Sequence, residues 1–205
     1  MWETVQNGGW FMVPIGICLL GTVAIFIERL VNLRMSAFMD EELVNRIRSD
    51  LMDGNYEAAL QVCRSVNNMF HRLLETAINF RSLDQVELRQ LIEDQSRQEA
   101  SYLERFLTSL RTIATIAPLL GLLGTVAGMI KVFHTLSAQG LSEAAHLSGG
   151  ISEALITTAA GMMVAIPTIV IHNALERRAS KIMLRMEKRM IEFMLVIRRH
   201  HAVSS

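Results

Sequence analysis

The architecture of this chain turns on Thr112-Ile-Ala-Thr-Ile-Ala-Pro-Leu-Leu-Gly-Leu-Leu-Gly-Thr-Val-Ala-Gly-Met-Ile-Lys-Val-Phe-His134. Between Arg111 and Lys131 it holds 19 residues without a charge. As a helix these rise about 28 Å at about 1.5 Å per residue, close to the thickness of a hydrocarbon core. The stretch therefore reads as a membrane span. Within it Ala114, Ala117, Gly121, Gly124 and Gly128 recur three and four residues apart and share one face. A strip of small residues lets a second backbone approach closely, which matters in lipid, where helices have little hydrophobic reason to associate. Thr125, next to Gly124, carries the most polar side chain in the middle of the span. Its hydroxyl can bond a carbonyl one turn back, a water or a partner.

Outward from this span the chain divides by charge. Residues 1–9 are short and polar, with Glu3 and no Lys or Arg, and an uncharged run of 18 residues from Trp10 to Ile27 follows. Trp10 suits the headgroup level, and Pro14 falls near the first turn, where a missing N–H costs little. A secretory signal needs a basic stretch ahead of its apolar one, and none is present, so 10–27 is expected as a permanent first transmembrane helix. Residues 28–111 carry eleven Arg, no Lys and fourteen Asp plus Glu, which marks a soluble helical insertion. Asp53-Gly54-Asn55-Tyr56 signals a turn between helices near 40–52 and 56–64. Apolar residues from Leu83 to Leu110 recur mostly at steps of three and four, and no Pro or Gly interrupts Ser82 to Ala117. That pattern predicts one helix running from the insertion into the 112–130 span, about 50 residues and about 75 Å in all, with its charged part projecting beyond the bilayer.

Residues 131–153 read as an outer connector with His134, His146, Gly140 and Gly149-Gly150, its histidines not at ligand spacing. The third transmembrane helix is expected over 154–175. Thr157, Thr158, Ala160, Gly161 and Ala165 permit close packing there, and Pro167 removes one backbone bond and can kink the helix. Residues 176–205 carry eight Lys or Arg against three Glu and read as a basic, amphipathic cytoplasmic helix. Arg29, Arg34, Arg111, Arg177, Arg178, Lys181, Arg185, Lys188 and Arg189 fall on one side of the membrane, and Lys131 alone falls on the other. The N-terminus is therefore expected outside, with the insertion and the tail in the cytoplasm.

Composition narrows the class. With 205 residues, 51% apolar and only three prolines, the chain reads as an all-α membrane protein. Net charge is zero and no basic face with stacking residues stands out, so no nucleic acid is expected as a partner. Cys18 and Cys63 lie in very different surroundings and are expected as free thiols; no Cys/His cluster has zinc spacing, and His200-His201 is only a dipeptide. There is no phosphate-cradling Gly loop, no Gly-x-Ser-x-Gly and no His-Glu-x-x-His, so neither an enzyme nor a metal or cofactor site is expected. His71-Arg-Leu-Leu-Glu75 places two polar groups on one helix face and reads as a solvated surface.

No Asp, Glu, Lys or Arg lies in the interior of any expected span. Glu153 marks an edge, where a carboxylate either complements a helix N-terminus or faces an inner cavity and holds cations or protons. Thr125, Thr157 and Thr158 supply hydroxyls, and His172, one turn inside the far end, reads as interfacial or packed. Proton passage needs water, hydroxyls and usually a titratable group near the middle of the membrane. If this chain conducts protons, that carboxylate belongs to a second protein, or the path is a water wire.

Ala117-Pro-Leu-Leu-Gly-Leu-Leu-Gly-Thr-Val-Ala-Gly128 and Ile151-Ser-Glu-Ala-Leu-Ile-Thr-Thr-Ala-Ala-Gly-Met-Met-Val-Ala-Ile-Pro167 resemble the ExbB/TolQ/MotA proton-channel family. Three spans with a long first insertion resemble the ExbB/TolQ branch rather than the four-span MotA stators. The resemblance implies an inner-membrane homopentamer whose pore holds the single transmembrane helices of an ExbD- or TolR-like partner. That partner would bring the missing aspartate, with protons as coupling ion and a TonB- or TolA-like protein receiving the motion. By position Thr125 and Thr158 match the family's pore threonines, and Glu153 matches its acidic position at the start of the third span. Pro118 and Pro167 match its helix-shaping prolines. Thr157, Gly121, Gly124, Gly128 and Gly161 are further candidates for pore lining or packing. A TolQ-like role in envelope maintenance, a non-conducting scaffold and a self-sufficient channel are the alternatives.

Overall fold

The computed structural model describes residues 9–32, 40–66, 68–139 and 144–203. Residues 1–8, Arg34 and Gly140 lie outside the described residues, as do the side chains of His146, His200 and His201. Among the described residues there are six helices and no strand: α1 (Met12–Asn32), α2 (Glu41–Met52), α3 (Tyr56–Ser65), α4 (Met69–Asn79), α5 (Gln85–Gln139) and α6 (Ala144–Val203). The fold is all-α, and three of the helices, α1, α5 and α6, are long and apolar enough to cross a membrane.

The short helices start where side chains can accept orphan backbone N–H groups. Asp40 takes the N–H of Glu42 at 3.0 Å, Asn55 that of Ala58 at 3.3 Å, and Asn68 that of His71 at 2.9 Å. Gly54, with φ +74°, makes the turn between α2 and α3 that a side chain would resist. The long helix expected from Ser82 is present as α5, 55 residues without a break, and it runs through Pro118. Likewise α6 runs through Pro167.

Helix also replaces most of the segment read as a connector. After Lys131, α5 continues to Gln139 because nothing in Lys131–Gln139 stops it, and α6 begins at Ala144, ahead of Gly149-Gly150. Glycines inside a helix cost about 1 kcal/mol each. At Gly150 packing compensates, since a Cβ there would fall 2.4 Å from Val132 Cγ2.

The chain forms two units. One comprises Met1–Arg29 and Phe106–Leu175. Its helices bury a thin seam of Ile15, Ala117, Val164 and Ala165 with Cys18, Leu120 and Ala160 around it. Most of their large apolar side chains point outward, Met163 being 73% exposed, which is the distribution a helix needs when its solvent is lipid.

The other unit comprises Leu30–Arg105 and Glu176–Ser205. Here the apolar side chains turn inward. Ala179, Ile182, Met186, Met190, Phe193 and Ile197 of α6 recur at steps of three and four and are all buried, with α2 supplying Val44, Ile47 and Leu51, and α4 supplying Phe70, Leu73, Leu74 and Ile78. Phe70 meets Phe193 edge to face with centroids 6.0 Å apart. Arg72 grips Glu99 with two hydrogen bonds, Nε to Oε1 at 2.7 Å and Nη2 to Oε2 at 2.6 Å, and this pairing holds its guanidinium charged. The reading of His71 and Glu75 as one solvated surface is corrected: Glu75 accepts from Arg64 at 2.7 Å, whereas His71 is fully buried. The amphipathic period of α4, which that reading did not weigh, turns His71 inward beside Phe70 and Leu74.

Candidate functional site

The small residues of α5 and α6 interlock along one seam. A methyl group on Gly121 would fall 2.9 Å from the carbonyl oxygen of Thr157, one on Gly124 2.5 Å from Thr157 Oγ1, and one on Gly128 2.8 Å from Ala154 Cβ. From the opposite side, a methyl on Gly161 would lie 2.6 Å from the carbonyl oxygen of Ala117. These four glycines, Ala117, Thr157 and Thr158 are thus brought together where two backbones touch. The three-and-four spacing alone allowed this for α5; only the structure shows which residues of α6 fill the gaps.

The hydroxyls on this seam are engaged by backbone. Thr158 Oγ1 donates across the helix pair to the carbonyl of Gly121 at 3.0 Å. Thr157, 1% exposed, bonds the carbonyls of Ala154 at 2.8 Å and Glu153 at 3.1 Å in its own helix. Thr125 is half-buried and turns back to the carbonyl of Leu122 at 2.6 Å. So Thr158 joins two helices, while Thr125 and Thr157 bond within one. Pro118 sits one residue beyond the buried Ala117, and Pro167 beside the buried Thr168.

Glu153 stands well inside α6, not at its start, because the helix begins at Ala144. The backbone N–H groups around it are already in the helix ladder, so the capping alternative does not hold. Its carboxylate instead meets Lys131 of α5, Nζ to Oε2 at 3.1 Å.

Sequence reasoning missed two features of this unit. Thr22 of α1 and Thr168 of α6, both buried, face each other with oxygens 3.0 Å apart. Each also reaches a carbonyl one turn back, Cys18 at 3.0 Å and Val164 at 2.7 Å. A hydroxyl in each of two apolar runs was the only signal available. Arg29, read only for orientation, is 5% exposed, with its guanidinium 4.7 Å from the Phe106 ring centroid and Nε 3.2 Å from Glu28 Oε2. His172, read as interfacial or packed, is packed: it is buried, with Nδ1 3.3 Å from Asn173 Oδ1, and with Arg111, Thr115, Ala114, Ile169 and Asn173 it borders a cavity of about 190 Å³. No cluster of metal-ligating side chains occurs among the described residues.

Comparison with known proteins agrees with this architecture. The profile of the MotA/TolQ/ExbB proton channel family matches residues 64–188, more than half of the chain. The ExbB-like 3 biopolymer transport protein of Synechocystis is 30% identical over 197 residues, which cover 95% of this chain and 93% of that protein. The biopolymer transport protein ExbB of Neisseria gonorrhoeae is 32% identical over 133 residues, 58% of this chain and 60% of that protein. The Tol-Pal system protein TolQ of Haemophilus influenzae is 38% identical over 85 residues, 42% of this chain and 37% of that protein. The family is one of channels and not of enzymes, and its apolar helices make this a multi-pass membrane protein. From the matched profile and the near full-length likeness to an ExbB-like protein, the chain belongs to the MotA/TolQ/ExbB proton channel family, on its ExbB/TolQ branch.

Proposed function

We propose that this chain is the channel subunit of an inner-membrane motor that draws on proton motive force together with an ExbD- or TolR-like single-span partner. One observation carries the reading: a member of a proton channel family has no Asp, Glu, Lys or Arg in the interior of 10–27, 112–130 or 154–175. The carboxylate that takes up and releases the proton then comes from the partner's helix, seated in a pore formed by five copies of this chain. Protonation removes a charge from a low-dielectric site and changes which wall the partner prefers. Thr125, Thr158 and Glu153 are the residues of this chain that line its path. Rotation or rocking of the partner passes to a TonB-like protein working at the outer membrane. The N-terminus lies in the periplasm, and the unit containing Leu30–Arg105 and Glu176–Ser205 lies in the cytoplasm, as the basic residues near the span ends favour.

Two other readings have an observation behind them. The likeness to TolQ favours a role in envelope maintenance through a TolA-like protein. The bond from Thr158 to Gly121 suits a scaffold whose seams only pack. Proton flux into liposomes under an imposed potential and pH gradient separates motor from scaffold. Flux should require both the chain and its co-purified single-span partner and should fall to background with Thr125→Val or Thr158→Val. A leak from the chain alone would reduce the partner to a gate, and an intact complex that conducts nothing would leave the scaffold. The identity of the co-purified partner decides between ExbB-like and TolQ-like roles.

A further inference from the structure

Two other segments of the same unit converge on the carboxylate of Glu153. Lys131 of α5 holds Oε2 at 3.1 Å. On the other oxygen lies Gly9, where a Cβ would fall 2.1 Å from Oε1. Gly9 has φ +65°, and its carbonyl accepts from Met12 N at 3.2 Å at the entry to α1. Its conformation therefore favours glycine, and the backbone at Gly9 passes directly over the carboxylate. Helix capping gives Glu153 no reason to sit there, since α6 starts at Ala144.

The two partners are unequally exposed: the Lys131 side chain is 69% exposed and that of Glu153 28%. A pair with one end in solvent is screened and weak, so it opens easily. It is thus suited to a contact that is made and broken, and poorly suited to holding helices together, a task the glycine seam already performs.

We propose that Lys131 is a positioning residue that latches Glu153, holding its carboxylate against the Gly9 segment and out of the proton path until the pair opens. The latch rests on the proposed role of Glu153 in that path. Opening competes with the Lys131 contact, so the fraction of open latch, and with it the flux, rises when Lys131 loses its charge. Lys131→Arg keeps the charge and should keep the latch.

Two measurements on the full chain with its co-purified partner test this. The first does not depend on flux. A water-soluble carbodiimide activates Glu153, and the Lys131 amine then displaces the urea to form an amide, so peptide mass spectrometry should find a Lys131–Glu153 cross-link within one chain. Absence of that cross-link while other carboxylates react would overturn the latch. The second is flux in liposomes: Lys131→Met should raise it about two- to fivefold, the size of a surface ion pair expressed as an equilibrium, and Lys131→Arg should leave it unchanged. Flux that is unchanged or reduced in Lys131→Met, with the complex recovered intact, would also overturn the latch. If neither wild type nor variant conducts but the cross-link forms, the motor reading fails while the geometry of the latch stands.

Discussion

At His71 the imidazole has a place for one proton and none for a second. Nδ1 lies 2.6 Å from Asn68 Oδ1, which also accepts the His71 backbone N–H, so the ring proton belongs on Nδ1. Nε2 is buried with no hydrogen-bond partner among the described residues. Burial pushes the pKa below its ordinary 6.5, and the Asp40 carboxylate pulls part of the way back. Well above 6.5 the folded and unfolded chains are both neutral here, and His71 adds no pH dependence. Below 6.5 the unfolded chain takes a proton that the folded chain refuses, so stability falls with pH until the depressed folded value is passed. Thermal unfolding from about pH 7.5 to about pH 5 should show this loss, and His71→Leu should flatten it; equal slopes would remove His71 as its source. Cys63 is the second buried titrating group of this unit. Burial first, and Glu75 second, push its thiol up to about 12, so little nucleophilic thiolate exists at neutral pH. In a Cys18→Ser background, alkylation of Cys63 should wait for denaturation, and prompt labelling of the native chain would contradict its burial.

Between helices, close approach is the main resource of the spans, and it is sensitive to one carbon atom. Gly161→Ala places a methyl 2.6 Å from a backbone oxygen that cannot rotate away, so α5 and α6 must separate along the seam. A loss of about 1–3 kcal/mol is expected, read as a lower unfolding temperature in detergent. The Thr22–Thr168 contact is smaller. A double-mutant cycle with Thr22→Val and Thr168→Val should give a coupling of about 0.6 kcal/mol, typical of hydroxyl contacts between membrane helices; additive losses would mean the oxygens merely lie near each other. Much of this layer was legible. The absence of Pro and Gly from Ser82 to Ala117 announced α5, and Asp53-Gly54-Asn55 announced the α2–α3 turn. The extent of α6 was not, because Gly149-Gly150 signals a break by propensity, and only the fit of Gly150 against Val132 overrides it. The same misjudged start of α6 kept a capping role open for Glu153 beside a place on the proton path. Its pairing with Lys131 joins residues 22 positions apart, a distance no local pattern encodes.

For the molecule as a whole, charge placement was legible from the start, since basic residues at span ends need no structure to be counted. The orientation it implies can be checked directly. In a chain without its native cysteines, Ser137→Cys should react with a membrane-impermeant maleimide in intact spheroplasts and Ser180→Cys only after lysis; the reverse pattern would invert the topology. The sequence did not reveal that the charged insertion and the basic tail form one unit, because their contacts link positions such as Phe70 and Phe193. This unit is discontinuous in the chain, its two segments separated by all of 106–175. A ribosome delivers Leu30–Arg105 well before Glu176–Ser205, so Phe70, Leu74 and Ile78 emerge without the α6 residues that complete their core. Until synthesis passes Ile197 the nascent chain shows an unfinished apolar surface to chaperones and proteases. Completion of this core therefore reports that the second and third spans have been made, and a message truncated within α6 yields a chain marked for removal by its own exposed interior.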